Sequence, residues 1–542
     1  MKKTFYSLVV AAITLLSVQK AGATHIMGMN ITYEHFNGDT FVMNLDFFRY
    51  CGGTAFNNGN CTGAAGIGSI AGYYARCEDN GWQGNRQAQA DTIREATPIC
   101  DSLNSTQNSC IVGNCGLLGI QWGIYTDTLV LDSTFHGGIE CDNWIFVYAS
   151  GARNTGVNYV SQPSIVAYAR LDHAEDPTNS SVQFESAKPI PFFCDGQEVT
   201  YNWSAFDPDG DSLYWRLDTA WNNYINGTFN SINYSIIVGY DTFEGLDPMP
   251  GEVLINNSTG QLNFTATIPP GYNFANYAIA VLVEEYDNIT GEFRGSVHRD
   301  IQFIVLDSCN NTAPLDSAGI TNFVGSGSQL DSNTIVVCTG QDFEFELVFE
   351  DFDTSGVLDP NSNITAFCNI DQILPGAIWD TTGTNPVTMN ISWTAVPTNQ
   401  RFVPFNVTVE DDFCPVTGFN VFSYIIRIEP STLLPRDTAI CELDSIDIFV
   451  EGGDTLVWEV IDGPPLDSGV NYGCYDQNCK SIWIHPSATS KYVVSSELDT
   501  ACGNTDTMLV EVFNRFPINI TPDSGGTAAE LVYCSTDPLD TL

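Results

Sequence analysis

The 542-residue chain carries 65 acidic and only 19 basic side chains, a formal charge of −46. A field of that sign repels phosphate backbones and anionic lipid, so nucleic acid and acidic membrane surfaces are excluded as expected partners. Hydrophobic residues make up 43% and aromatics 12%, enough for several cores, so the charge belongs to a solvated surface and not to a disordered chain.

The N-terminus reads as an export signal. Lys2 and Lys3 precede a mainly apolar run from Phe5 to Val18, and Ala21-Gly22-Ala23 offers small residues for cleavage before Thr24. Residues 1–23 are expected to leave the mature chain. No later stretch reaches the roughly 18 uninterrupted apolar residues of a transmembrane helix. All 17 cysteines follow the signal, and in an exported chain they are expected to form disulfides.

Short alternating runs bounded by Gly, Asn, Asp and Pro recur along the chain, with no long window at helical spacing. This pattern predicts an all-β chain of tandem β-sandwich modules. A Cys-rich β domain is expected over 24–178. It opens on strand-like Ile31-Thr32-Tyr33 and on the alternating run from Phe41 to Phe47, with the turn Asn37-Gly38-Asp39 between them. Seven cysteines, Cys51 to Cys141, follow. An odd number cannot pair completely within that domain.

Residues 179–310 and 311–430 read as two copies of one sandwich. Cys194-Asp195-Gly196-Gln197-Glu198 is followed, thirteen residues after its cysteine, by Asp207-Pro208-Asp209-Gly210-Asp211. Cys338-Thr339-Gly340-Gln341-Asp342 is followed at the same interval by Asp351-Phe352-Asp353. An alternating run links cysteine to acidic turn in both, the period of a half-buried strand. The first copy nears its end with the apolar run 277–283 and Glu284-Glu285-Tyr286-Asp287; the second with Glu410-Asp411-Asp412.

Residues 431–516 hold Cys441, Trp458 and Cys502, an order that suggests an immunoglobulin-like module with a Cys441–Cys502 disulfide. Cys474 and Cys479 are spaced for a local disulfide, and Cys110 and Cys115 share that spacing. Residues 517–542 read as the start of a further module. Cys534-Ser535-Thr536-Asp537-Pro538-Leu539-Asp540 repeats the pattern of Cys441-Glu442-Leu443-Asp444-Ser445-Ile446-Asp447, so Cys534 is expected to lack its partner in this chain.

The acidic turns are the best candidate sites. Asp207, Asp209 and Asp211 place carboxylates at every second position of a bend set by Pro and Gly, which suits a hard cation such as Ca²⁺, with Glu285 or Asp287 as distal ligands. Glycine falls at the fourth and not the sixth loop position, and the strand-like Leu213–Leu217 follows, so this is no EF-hand. Asp351 and Asp353 form a weaker copy, with Ser355 where Asp211 stands. The bland reading of either is an Asp-rich turn. The six histidines show no H-E-x-x-H, the cysteines no paired C-x-x-C, and neither G-x-S-x-G nor a P-loop occurs. A non-catalytic chain is expected.

The chain resembles secreted surface proteins of the Bacteroidota that carry tandem PKD-like, cadherin-like and immunoglobulin-like modules. The residues that carry this are His25-Ile26-Met27-Gly28, Asp46-Phe47-Phe48-Arg49-Tyr50-Cys51-Gly52-Gly53, Cys141-Asp142-Asn143-Trp144 and Gly151-Ala152-Arg153-Asn154. With them stand Asp207 to Leu213, Ser258-Thr259-Gly260-Gln261-Leu262 and Pro486-Ser487-Ala488-Thr489-Ser490-Lys491-Tyr492. The resemblance implies tandem immunoglobulin-like/PKD-like β-sandwich modules, a cell-surface location, type IX secretion and a gliding-motility association. It also implies paired cysteines before Arg153, where Gly151-Ala152 stand. The expected role is adhesive or structural, towards a protein or glycan surface partner. The alternatives are accessory modules of a larger secreted hydrolase, or a carbohydrate-binding module.

Overall fold

The computed structural model describes residues 26–535 apart from 52–69, 101–102, 104–107, 109, 111–118, 132–140, 152, 155, 161–162, 186–188, 235–252, 289, 308, 397–400, 430–433, 451–454, 497–501, 503–504 and 521–528. The export signal, its cleavage site and Cys115 lie outside the described residues. Strand accounts for 60% and helix for 1%, and the sheets stack as sandwiches, as the alternation predicts.

The first strands are β1 (Ile26–Asn37), β2 (Thr40–Tyr50), β3 (Ile70–Cys77), β4 (Gln83–Glu95), β5 (Ile120–Val130), β6 (Asn143–Ser150) and β7 (Ile165–Asp172). They pair antiparallel in the order β1-β2-β5-β4-β3-β6-β7. Gly38 turns the first hairpin at φ 48°, a left-handed conformation that glycine adopts without steric cost. Along β2, Phe41, Met43, Leu45 and Phe47 are buried on one face. Tyr33, Tyr73, Trp144 and Phe146 join them in one core.

The sheet does not stop there. The second stretch supplies β8 (Gln183–Phe184), β9 (Phe192–Cys194), β10 (Glu198–Tyr201), β11 (Ala205–Phe206), β12 (Ser212–Asp218), β13 (Trp221–Ile225) and β14 (Thr228–Ser231). It continues with β15 (Leu254–Ile255), β16 (Leu262–Thr265), β17 (Phe274–Tyr286) and β18 (Phe293–Leu306). On one edge β18 pairs with β17 throughout; along its other edge it meets β7 through residues 295–298 and β1 through Ile301 and Asp300. The seven first strands thus curl until both ends reach the same strand. The boundary expected at 178/179 therefore does not separate two sheets. The physical signal lies in β17, where nine consecutive residues from Ala275 to Val283 are buried. A strand covered on both faces shows a continuous apolar run where a half-exposed one alternates.

The third stretch supplies β19 (Leu315–Gly325), β20 (Gly327–Gln329), β21 (Thr334–Cys338), β22 (Asp342–Glu350), β23 (Thr365–Cys368), the helical turn α1 (Ile370–Ile373), β24 (Ile378–Gly383), β25 (Val387–Thr394), β26 (Phe402–Glu410) and β27 (Phe419–Glu429). Its sheets run β19-β22-β25-β24 and β20-β21-β27-β26-β23. The second stretch has β10-β16-β15 and β12-β17-β18 with β9 beside β18. Allowing for the extra β19 and β20, the order is the same. The turns match atom for atom: Gly196 N and Gln197 O bond Ala266, and Gly340 N and Gln341 O bond Ala395.

The chain divides into two compact units. One takes the residues up to Gly319, Glu346–Asn390 and Pro404–Ile425; the other takes Ile320–Phe345, Ile391–Val403 and the chain from Ile426 on. Strands β19, β22, β25, β26 and β27 pass from one unit into the other.

In the second unit, β28 (Thr438–Cys441), β29 (Ile446–Phe449), β30 (Leu456–Asp462), β31 (Tyr472–Cys474), β32 (Ser481–Ile484), β33 (Ser490–Ser496) and β34 (Thr505–Ile520) form sheets β28-β34-β33-β30 and β29-β32-β31 around Trp458, Ile482, Tyr492 and Val510. β35 (Ala529–Ser535) pairs with the far end of β34; the Cys534 side chain lies outside what the structure describes.

Six disulfides occur among the described residues: Cys51–Cys110, Cys77–Cys141, Cys100–Cys414, Cys194–Cys309, Cys338–Cys502 and Cys474–Cys479. The local Cys474–Cys479 bond is as expected, and Cys100 finds its partner outside the first domain. Two expectations fail. Cys110 pairs with Cys51 and not with Cys115. Cys502 pairs with Cys338 and not with Cys441, because Cys441 lies beside Phe513 in the parallel β28–β34 ladder. The β34 segment from Thr505 to Phe513 already spans about 26 Å at 3.3 Å per residue, whereas a disulfide needs Cα atoms within about 7 Å. Peptide mapping without reduction is expected to recover Cys338 linked to Cys502 and Cys100 linked to Cys414. A Cys441–Cys502 peptide would contradict this fold of the module.

Candidate metal centre

The acidic turn Asp207–Asp211 follows β11 and leads into β12. Asp207 shapes it: its Oδ1 accepts the backbone N–H groups of Asp209 and Asp211, each at 2.9 Å. Proline and glycine within the turn, with Gly210 at φ 84°, let the bend close. The result buries Asp207 and Asp211 at 8% and 9% exposure.

Glu285, fully buried on β17, faces the same turn. Its Oε1 accepts Val182 N at 2.7 Å and its Oε2 accepts Asn179 Nδ2 at 2.9 Å. Asn179 also donates to Tyr33 Oη at 3.1 Å, while Ser180 N donates to Asp209 Oδ2 at 2.5 Å. The site therefore gathers β1, the 179–182 connection, the acidic turn and β17. Glycine is required at 295: a Cβ there would sit 2.6 Å from Glu285 Oε2 and 2.7 Å from Tyr33 Oη.

Burial and mutual repulsion push these acids up. Burial lifts Asp207 well above the usual carboxylate range, with the Glu285 charge adding to it. Burial takes Asp211 to about 6 and Glu285 to about 8. Two buried oxygens of the cluster have no hydrogen-bond partner among the described residues, Asp207 Oδ2 and Asn179 Oδ1. An unsatisfied buried oxygen costs about 1–3 kcal/mol. Asp287 is engaged elsewhere, since Arg294 donates to its Oδ2 at 2.9 Å and Thr290 N to its Oδ1 at 2.7 Å.

The third stretch repeats the arrangement with other residues. Asp411, beyond the end of β26, is buried and takes Glu285's part; Asn311 donates to its Oδ2 at 2.7 Å, as Asn179 does to Glu285. Asp351 is buried beside it. Here each aspartate oxygen has a donor: Ser362 Oγ at 2.6 Å and Thr312 Oγ at 3.5 Å on Asp351, and Phe413 N and Gly418 N on Asp411 Oδ1, both at 2.9 Å. Burial still pushes Asp411 up to about 7. Asp353 is exposed and holds its own turn through Ser355 and Val357. An open cleft of about 370 Å³, lined in part by Asp351, Asp359, Ser362 and Asp412, adjoins this cluster.

Sequence reasoning finds Asp207, Asp209, Asp211 and Glu285, and the structure brings these four together. It misses Asn179, Asn311 and Asp411. The Glu410-Asp411-Asp412 triplet is the available signal for the last. The two asparagines carry none, because they stand at unequal distances from Cys194 and Cys338.

Among the described residues, one set places three ligand atoms within 4.8 Å of one another: Cys77, Asp79 and Cys141. The two cysteines are disulfide-bonded and so unavailable to a metal. The Asp207 cluster is wider, and coordination at 2.3–2.6 Å requires its side chains to draw inward.

No family model and no curated protein matches the chain. Among solved structures, titin domains I67-I69 in an E-to-A mutated variant match 61% of this chain and 98% of that one, at 10% identity and TM-score 0.25. The N-terminal eight Ig domains of Down Syndrome Cell Adhesion Molecule match 90% and 49%, at 8% and 0.24. Protocadherin Gamma B2 extracellular cadherin domains 1-5 match 82% and 74%, at 11% and 0.20. The all-β, multi-sandwich fold stands on the chain's own sheets. No helix among the described residues is long and apolar enough to cross a membrane.

Proposed function

We propose that this chain is an exported, surface-associated modular protein with an adhesive or structural, non-catalytic role, stabilised by Ca²⁺ at the Asp207–Glu285 cluster. The observation that carries the reading is the disulfide framework: bonds such as Cys100–Cys414 and Cys338–Cys502 form and persist in oxidising, extracytoplasmic compartments. The resemblance to Bacteroidota surface proteins of the gliding-motility and type IX secretion type supports the location. The cation's chemistry fits the donors. Asp207, Asp209, Asp211, Glu285 and the Asn179 side-chain oxygen are hard oxygen ligands, and the partnerless Asp207 Oδ2 and Asn179 Oδ1 are the atoms it would satisfy. The third stretch, whose buried carboxylates already have donors, would hold a cation more weakly. Glu285 is closed to substrate by its complete burial, so its pairing with Asp207 serves stability and not hydrolysis.

Antibody labelling and brief protease treatment of intact cells that make the protein test the location. Surface labelling that disappears after protease is expected. Signal found only after lysis would overturn the reading.

A further inference from the structure

The β3–β4 hairpin carries a second, chemically different feature. Asn85, Gln87 and Gln89 alternate along β4, all exposed on one face, about 7 Å apart from one to the next. Their side chains point outward with no hydrogen bond to the described residues. Across the ladder, Asn85 faces Tyr74 and Gln87 faces Gly72. With no side chain at 72, a notch opens opposite Gln87, and a Cβ built there would meet nothing nearer than Arg86 O at 3.8 Å. Tyr74 is half-buried, packed against the cluster of Val147 and Tyr168. Gly72, Tyr74, Asn85, Gln87 and Gln89, with Tyr73 and Arg86, line an open cleft of about 580 Å³, within the usual size of small-ligand sites.

The cleft's chemistry is neutral. Arg86 also lines the cleft, but its charge is paired with Asp127, 2.8 Å away, and no carboxylate lines the cleft among the described residues. On a chain of charge −46 this is a polar trough whose one lining charge is already paired. A carboxamide presents a donor and an acceptor side by side, the complement of adjacent hydroxyl groups, and a tyrosine ring offers a face to the apolar C–H side of a sugar ring. Metal ions find no anionic oxygen here, and acidic polymers meet the chain's own field.

We propose that this cleft binds a neutral oligosaccharide, with Asn85, Gln87 and Gln89 reading hydroxyl pairs and Tyr74 and Gly72 seating the ring. The inference names a ligand class for the adhesive reading and rests on it only in that the bound sugar stays uncleaved.

The full mature chain is titrated by calorimetry with hexasaccharides of cellulose, xylan, laminarin, starch and β-mannan, and with oligogalacturonate as the acidic comparison. Binding to at least one neutral sugar is expected, with oligogalacturonate weaker. Gln87→Ala and Gly72→Val, which fills the notch, are each expected to weaken it about tenfold or more. Gln83→Ala, on the same face outside the cleft, should leave it unchanged, and all three variants should melt as the parent does. Failure of every neutral sugar to bind, stronger binding of oligogalacturonate, or undiminished binding by both cleft variants would overturn the assignment. Chain-length analysis of the recovered sugar separates the two readings: cleavage with cleft-dependent binding would keep the site and overturn the non-catalytic role.

Discussion

In chelator, the melting temperature of the full chain is expected to fall as pH rises from about 5 to 8, and millimolar Ca²⁺ should remove most of that fall. The sign follows from the direction of the shifts. Burial raises Glu285 to about 8 and Asp211 to about 6 in the folded chain, against about 4 for unfolded carboxylates. Below pH 4 both states are protonated and the cluster costs nothing. Between the unfolded and folded values the folded state binds more protons, so stability declines with rising pH, by about 1.4 kcal/mol per pH unit for each fully affected group. Above about 8 the deficit is complete. A cation that binds only the folded, ionised cluster opposes this by mass action, about 2.7 kcal/mol at 100 times its dissociation constant. Asp207→Asn should shrink the difference between Ca²⁺ and chelator, and the same change at exposed Asp142 should leave it intact. Superimposable melting curves with and without Ca²⁺ at pH 8 would leave the cluster as a buried acidic turn and no more.

A larger single-site effect is expected at Arg153. Its guanidinium meets Asp300 of β18 through two hydrogen bonds of 2.5 Å, with both side chains fully buried. Arg153→Met leaves the Asp300 carboxylate uncompensated in the core, and a loss of about 3–5 kcal/mol is expected. The paired change Arg153→Met with Asp300→Leu removes both charges and should recover most of it. Urea midpoints of the four proteins in a double-mutant cycle measure the coupling. Equal losses in the single and the double variant would mean that packing, and not charge, holds this position.

These two consequences are not equally legible in the letters. The interval from cysteine to acidic turn is local information, carried by one alternating strand, and it places Asp207 and Asp351 after corresponding strands. Glu285 is visible because it ends a long apolar run. Arg153 shows only as part of a motif. Its partner lies 147 residues away, on a strand whose place in the sheet depends on which edges remain free. The Cys441–Cys502 expectation fails for the same reason: it takes the order of residues for proximity, whereas a parallel ladder carries one of them far along β34. Asn179 and Asn311 are invisible because a connection's contribution depends on where it crosses the module, not on its composition.

The Cys100–Cys414 bond has a consequence for a protein anchored at one end and pulled at the other. It closes a loop of chain with a sequence separation of 314, roughly 1,000 Å of extended polypeptide at about 3.3 Å per residue. While the bond is intact, tension entering at residue 100 leaves at residue 414 through two sulfur atoms. The sheets between those points bear little of the load, and the hidden length is released only by reduction. Under force the extensible chain is then confined to the strands before residue 100 and after residue 414.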